Sequence, residues 1–421
     1  MSRAIANDMS LLRVHLVHPT GNDNVRQALL ALSGAGALDG FHTTIAWNAG
    51  SALTRVLPAG VREELERRGY PGIPAEMIHT HPWREGFRLL AGRMGWRELA
   101  RHEKGPLRLD AVCAALDRAA GRAIDRETTR LDAVYAYEDC ALESLQAGRM
   151  RGARRFYELP IGYARAWVKL RALELEREPL WGQTIDAGAF TEARMARKDL
   201  EIAAADRVIV PSRFVAGTLV GCPARDVVVV PYGCPEPAPL TSKPRAGGPL
   251  RVLFVGHISQ RKGISYLLRA MELLGGAADL TIVGQFTHHS AELAAQLKRH
   301  NCLGTMPRDR VLDQMRSHDV LVLPTLFEGR ALVVLEALAQ GLPVVTTANS
   351  GCTDVVVDGA SGFIVPVSSA EAIAGALMRL GEDRGLLETM REGALRMAVE
   401  CSWEKYRERL LEAVLGGLDT A

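Results

Sequence analysis

Short runs of β-branched and aliphatic residues alternate with longer stretches of helical composition along the whole chain, and one proline-dense segment cuts that alternation in two. Parallel sheets covered by helices require this alternation, because each parallel strand is reached by a long crossover. In the first series the predicted strands are 13–18, 43–47, 133–137, 155–159, 207–210 and 227–230. Pro231 to Pro249 then places six prolines in nineteen residues, together with Gly247 and Gly248. Neither a helix nor a central strand continues through such a stretch. A second series follows, with strands predicted at 250–255, 280–283, 320–323, 343–346 and 363–365. The expected fold class is α/β, with two facing doubly wound parallel-sheet, Rossmann-like domains. The first is expected over 1–235, a linker over 236–249, the second over 250–401, and a C-terminal helix over 402–421 that crosses back to the first domain, with Ser402 as its cap. Ligands of such sheets sit beyond the carboxyl ends of the strands, so the strand exits should line a cleft between the domains.

The 421 residues are enough for two or three hydrophobic cores. Lys plus Arg number 51 against 49 Asp plus Glu, a net charge of +2. No global field exists to hold nucleic acid, and any anion site must be local. Seven cysteines stand singly, without zinc spacing, which suggests a reducing compartment. No apolar run approaches the roughly 20 residues of a membrane span, and 1–10 lack a secretory pattern. The expectation is a cytoplasmic protein. Gly34-Ala-Gly36 follows no strand and lacks the third glycine of a dinucleotide fingerprint.

The strand at 250–255 runs into Gly256-His257-Ile-Ser-Gln-Arg261-Lys262-Gly263, just before a helix. A glycine there permits a tight turn, and two cations before a helix N-terminus suit a diphosphate and the charge that develops as a sugar leaves it. Taken alone, the pair is equally a solvated loop charge. Further on, the strand 320–323 is followed by Glu328 at its exit and by a helix bounded by Gly329 and Gly341, within which Glu336 lies beside the apolar face of Leu332, Leu335, Leu338 and Ala339. A carboxylate so placed needs donors, which ribose hydroxyls would supply. Two glutamates eight positions apart carry no weight by themselves.

The ordered set does. Phe-Val-Gly-His-Ile-Ser-Gln-Arg-Lys-Gly (254–263), Val-Gly (283–284), Leu-Gly (303–304), Glu328-Gly…Leu335-Glu336-Ala-Leu-Ala-Gln-Gly-Leu-Pro-Val-Val345, Asn-Ser-Gly (349–351), Asp-Gly…Gly-Phe-Ile-Val (358–365) and Ser402-Trp-Glu resemble the donor-binding domain of family-4, GT-B-fold glycosyltransferases, glycosyl transferases group 1. The resemblance spans essentially all of 250–405. It implies a nucleotide-sugar donor, no cofactor or metal, and transfer with retention of configuration to a hydroxyl on a glycan, lipid-linked sugar or glycoside. On the matching positions, Lys262 and Arg261 would grip the diphosphate, Glu328 would lie by the donor sugar and Glu336 would hold the ribose. Leu303, Gly304 and Thr305 would border the base, and the backbone of Gly329, Arg330, Ala331 and Leu332 would face the ligand. Family members commonly carry Arg after the glycine where this chain has His257, which supplies no permanent charge. An epimerase, a phosphorylase and a non-catalytic nucleotide-sugar-binding module are the alternatives on the same scaffold.

In the first half, the exit of strand 13–18 carries Gly21 and Asn22, candidates for reaching over the donor phosphate, with Asn24 a candidate helix cap. Acidic strand exits at Glu138-Asp139 and at Glu158 are acceptor-side candidates; Glu138 or Asp139 could instead cap the helix beginning near Ala141. The closing stretch 193–214 and Pro231-Tyr-Gly233 also resemble the family, mainly as scaffold. The stretch 61–130 matches least, and it is arginine-rich: Arg84, Arg88, Arg93, Arg97, Arg101, Lys104 and Arg108. Arg149, Arg151, Arg154 and Arg155 form a second basic group. Both suggest peripheral contact with a membrane face, although Glu85, Glu98 and Glu103 interleave and a solvated helix surface gives the same pattern.

Overall fold

A computed structural model describes residues 12–47, 62, 65–100, 105–185, 191–239, 247–286, 290–416 and 418. Two parallel sheets organise it. The first has seven strands in the order β3-β2-β1-β4-β5-β6-β7: β1 Val14–Val17, β2 Leu38–Thr43, β3 Ile78–Thr80, β4 Ala133–Tyr137, β5 Arg154–Glu158, β6 Arg207–Val210 and β7 Val227–Val229. The second has six in the order β10-β9-β8-β11-β12-β13: β8 Leu250–Val255, β9 Ala278–Val283, β10 Asn301–Gly304, β11 Val320–Leu323, β12 Val344–Thr347 and β13 Gly362–Val365. Both sheets reverse direction of growth at their first strand, between β1 and β4 and between β8 and β11, the crevices where doubly wound folds take ligands. The central strands β1, β4, β11 and β12 are buried throughout, which explains their continuous apolar runs.

The strand expected at 43–47 is displaced: β2 covers Leu38–Thr43 and ends where that expectation began. Asp39 and Gly40 argue locally against a strand, but Gly40 lies against the His15 ring, which a Cβ would approach to 3.1 Å. Strands β3 and β10 were not anticipated. Both are short edge strands whose extended form comes from pairing with a neighbour rather than from composition.

Eight helices matter below: α1 Asp23–Gly34, α2 Trp83–Arg93, α3 Leu109–Arg126, α4 Leu142–Met150, α5 Glu192–Ala204, α6 Ile264–Leu274, α7 Leu332–Ala339 and α8 Trp403–Leu415. Ser402 caps α8 by accepting from the Lys405 N–H at 3.4 Å. Asn24 does not cap α1: Asn22 holds that position, and the buried Asn24 amide donates instead to the Tyr232 hydroxyl at 3.3 Å. Nor do Glu138 or Asp139 cap α4. Asp117, reaching from α3, accepts from the N–H groups of Glu143 and Ser144, each at 2.9 Å.

The two domains are tied at both margins. Helix α8 lies against α1 in the first domain, with Arg407 donating to Gln27 at 2.6 Å and Arg207 donating to the Ala413 carbonyl at 2.7 Å. Where the linker crosses the start of α8, a Cβ on Gly233 would sit 2.4 Å from the Trp403 backbone, so only glycine passes. From the other side, the helices Ala164–Arg177 and Pro179–Gly182 reach over the second domain. The buried Glu174 carboxylate accepts from Gln260 at 2.6 Å and from the Tyr266 hydroxyl at 2.7 Å, and the Trp181 indole donates to Gln296 at 2.9 Å.

Candidate active site

The exits of β8 and β11 meet in one loop cluster. The backbone of Arg261 accepts from the Leu326 N–H at 2.9 Å and the Thr325 hydroxyl at 3.0 Å, locking the β8 loop to the β11 loop. Gly263 makes this possible: its φ is 73°, and a Cβ would fall 2.0 Å from the Pro324 carbonyl. Across that junction Glu328 Oε1 is 2.5 Å from Lys262 Nζ and 2.5 Å from Arg261 Nη1, which also donates to the Phe327 carbonyl at 2.9 Å. Burial alone would raise the Glu328 pKa, but Lys262 and Arg261 outweigh it and hold the carboxyl below its ordinary value. Burial pulls the Lys262 ammonium down against the attraction of Glu328. Two cations thus share one carboxylate, leaving positive charge for an anion.

That triad forms part of a cleft of about 590 Å³ between the domains. Its second-domain wall includes Gly256, His257, Arg261, Lys262, Met306, Arg308, Glu328, Arg330, Ala331, Leu332, Val333 and Glu336; its first-domain wall includes His18, Asn22, Asn24, Tyr137 and Pro160. Four Lys or Arg side chains face two carboxylates there. Leu332 and Val333 open α7 at the wall, so the positive end of that helix dipole borders the cleft. Glu336 is held by Arg308 at 2.9 Å, and Arg308 continues to Asp23 of α1 at 3.2 Å, spanning the cleft from one domain to the other. Burial raises the Glu336 pKa against the pull of Arg308. Arg330 is buried and structural as well as lining: it donates to the Tyr232 carbonyl at 2.9 Å and pairs with Asp354 at 2.6 Å.

Several sequence-predicted residues lie outside this wall. Gly329 is a point of contact between domains: a Cβ would fall 1.7 Å from the Pro160 carbonyl, and its own carbonyl accepts from Ser212 at 2.6 Å. Gly21 packs on the Tyr70 ring, which a Cβ would approach to 2.8 Å. Leu303 and Gly304 are on the exposed edge strand β10 and Thr305 just follows it; Met306 and Arg308, the first residue of the helix Arg308–Ser317, reach the wall from there. Glu158 was expected at the cleft and is not there. It is buried in the first domain, accepting from the Tyr135 hydroxyl and from the Tyr232 hydroxyl at 2.5 Å, and burial raises its pKa. The exit of β5 points this carboxylate into a core of tyrosines.

Glu138 and Asp139 do face a cavity, a second one of about 470 Å³ that shares His257 and Arg261 with the main cleft. Lys198 of α5 sits between them, 2.6 Å from Glu138 and 2.7 Å from Asp139, and Arg194 is 3.0 Å from Asp139. Burial raises the Glu138 pKa despite Lys198, whereas Lys198 and Arg194 outweigh burial at Asp139 and lower it. Asp139 has a φ of 71°, a left-handed conformation uncommon outside glycine that Asp tolerates better than most side chains. Trp167, Phe327, Ile161 and Ile185 form the apolar side of this cavity.

Three site residues escaped sequence reasoning. His18 ends the first strand's exit and lines the main cleft; its ring Nδ1 is held by the Thr20 backbone, and burial lowers its pKa to about 4, so it is neutral at pH 7. Position at the carboxyl end of β1 was the available signal. Arg308 and Lys198 gave none, since each is one basic residue on an ordinary helix. Among the described residues no three His, Cys, Asp or Glu side chains gather as a metal site.

Residues 241–397 match the family model described as Glycosyl transferases group 1. The D-inositol 3-phosphate glycosyltransferase of Salinispora arenicola is 31% identical over 255 residues, 52% of this chain and 57% of that protein. Among solved structures, sucrose-phosphate synthase from Thermosynechococcus elongatus superposes with a TM-score of 0.63 at 18% identity, covering 96% of this chain and 98% of that one. Anabaena Alr3699/HepE in complex with UDP-glucose does so with a TM-score of 0.60 at 15% identity, covering 96% and 100%. The chain spans roughly half the length of the curated relatives it matches. The fold is therefore GT-B, and its second domain carries the Glycosyl transferases group 1 match.

Proposed function

We propose that this protein is a glycosyltransferase of the family-4 type that moves a sugar, of the hexose class, from a nucleoside diphosphate sugar to an acceptor hydroxyl on a glycan, glycoside or lipid-linked sugar. The convergence of Arg261, Lys262 and Glu328 on one cleft wall, in line with Glu336, carries this reading. A nucleoside diphosphate sugar in that cleft would set its two phosphates against Arg261, Lys262 and the start of α7, with its ribose hydroxyls toward Glu336. That HepE is a structural neighbour solved with UDP-glucose supports this class of donor.

The reaction breaks the bond between the anomeric carbon and the phosphate oxygen and forms one to the acceptor oxygen. The leaving oxygen gains negative charge, which the fixed Arg261 and Lys262 stabilise without a metal. Glu328 orients both cations and would lie beside the donor sugar. In a same-face transfer the acceptor proton passes to the departing phosphate oxygen, so no separate protein base is needed and configuration is retained. Asn22 and His18 close the site from the first domain. The seven cysteines, all free, agree with a reducing, cytoplasmic setting. A thermal-shift screen of nucleoside diphosphates and their sugars tests the donor: a selective rise in melting temperature is expected, lost in Lys262→Ala. Absence of any shift across the panel overturns the reading, and product analysis separates transfer from epimerisation or phosphorolysis.

A further inference from the structure

Six of the seventeen large apolar side chains exposed among the described residues fall between positions 83 and 99. Trp83 is 78% exposed, Phe87 57%, Leu90 48% and Met94 56%, followed by Trp96 and Leu99. At 3.6 residues per turn, Trp83, Phe87, Leu90 and Met94 fall within about 60° of one another, a single stripe along α2. The opposite side of the helix holds the buried Glu85, which pairs with Arg68 at 2.7 Å and Arg88 at 2.6 Å and fixes α2 to the domain. The stripe therefore faces outward because its polar side is anchored, against the usual order of a surface helix.

What borders the stripe indicates its occupant. The exposed Arg84 and Arg93 flank it on either side. Arg84 also opens a cavity of about 530 Å³ whose lining holds five arginines. Arg108 pairs there with Asp110, Arg194 with Asp139, and Arg197 with Asp117 and Glu201, so Arg84 and Arg118 are the two with no carboxylate partner among the described residues. That cavity shares Asp139 and Arg194 with the aromatic-walled one, which in turn shares His257 and Arg261 with the donor cleft. Three neighbouring cavities thus lie in series between Arg84, beside the apolar stripe, and the wall that holds Arg261, Lys262 and Glu328. Tryptophan and phenylalanine flanked by arginine match the interface of an anionic bilayer, where aromatic rings enter the headgroup layer and cations meet phosphate. In the second basic group two of the four arginines are already engaged: Arg155 is committed to Asp206, and Arg151 donates to the Glu127 and Thr129 carbonyls.

We propose that the α2 face docks on an anionic membrane surface, and that the arginine-lined cavity beside it receives the phosphate-bearing headgroup of a membrane-borne acceptor. The second clause rests on the glycosyl-transfer reading; the docking does not.

Co-sedimentation of the full chain with vesicles of phosphatidylcholine alone, and with added phosphatidylglycerol, tests it. Binding is expected to the anionic vesicles only, weakening as salt rises. Trp83→Ser with Phe87→Ser should lower the partition coefficient roughly tenfold or more, and Arg84→Gln with Arg118→Gln roughly fivefold per arginine. Nucleoside diphosphate thermal shifts should be unchanged in the apolar-face variant, which shows the fold and donor site intact. No binding by the parent chain, equal binding by both variants, or a dimer that the apolar-face variant turns into a monomer would overturn the proposal, the last by assigning the face to a second copy. Docking without any nucleotide shift would support the first clause and overturn the second.

Discussion

The two sheets share one strand order around their first strand, yet their exits hold charge in different ways. At the exits of β8 and β11, two cations surround one carboxylate in a wall with further arginines, so charge remains for a ligand. At the exits of β4 and β5, the carboxylates are already answered by the protein: Glu138 and Asp139 by Lys198 and Arg194, Glu158 by tyrosine hydroxyls. The same topology therefore leaves surplus positive charge at the exits of one half and a nearly balanced, aromatic-walled cavity at the exits of the other. Strand order decides where a site lies, and the balance of charge at each exit decides what it can hold.

The comparison can be broken at its strongest point first. Lys262→Ala should reduce kcat by about a hundred- to a thousandfold, the usual consequence of removing one fixed charge from a developing anion, with the circular dichroism spectrum unchanged. Near-normal kcat would remove the second domain's special status. Glu328→Gln should also lower kcat, by roughly a hundredfold, while nucleoside diphosphate affinity holds or rises because both cations lose their competing carboxylate. Calorimetric titration separates these, and a weaker diphosphate complex would contradict the shared-charge account. Glu336→Gln should raise the donor KM roughly tenfold, the loss of a charge-assisted hydrogen bond, with kcat little changed.

A smaller effect sharpens the contrast from the first domain. Burial and the neighbouring Asp139 raise the Glu201 pKa to about 7, against Lys198 and Arg197; its unfolded value is 4.5. A carboxyl raised on folding contributes its full stability below the unfolded value and loses it as pH rises through the folded one. Glu201→Gln still accepts from the Asp139 N–H and no longer titrates. Relative to the parent chain, the variant should gain roughly 1–3 kcal/mol between pH 4.5 and pH 8, read by urea denaturation at both pH values. A constant difference would mean that this charge network does not titrate.

Legibility in the sequence followed the same division. Gly256, Arg261, Lys262, Glu328 and Glu336 sit in two compact segments, and the strands before each segment announce themselves by buried apolar runs. Arg308 and Lys198 act through partners far along the chain, and Asp23 meets Arg308 as well as its neighbour Arg26, so no local pattern marks the contacts across the cleft. Glu158 has the sequence setting of a cleft carboxylate, but the side on which its strand is covered puts it among tyrosines. The helices 164–182 read as part of the first domain and bond to the second through Glu174 and Trp181.

The order of residues by itself determined two parallel-sheet domains and the glycine-bearing loop with Arg261 and Lys262 after β8, because apolar runs, prolines and glycines act over a few neighbouring positions. Only the tertiary structure decided which acids face the cleft, which cations they meet and which helix shows its apolar stripe to solvent. Those outcomes depend on distances between segments scores of residues apart, and electrostatic energy is set by separation in space.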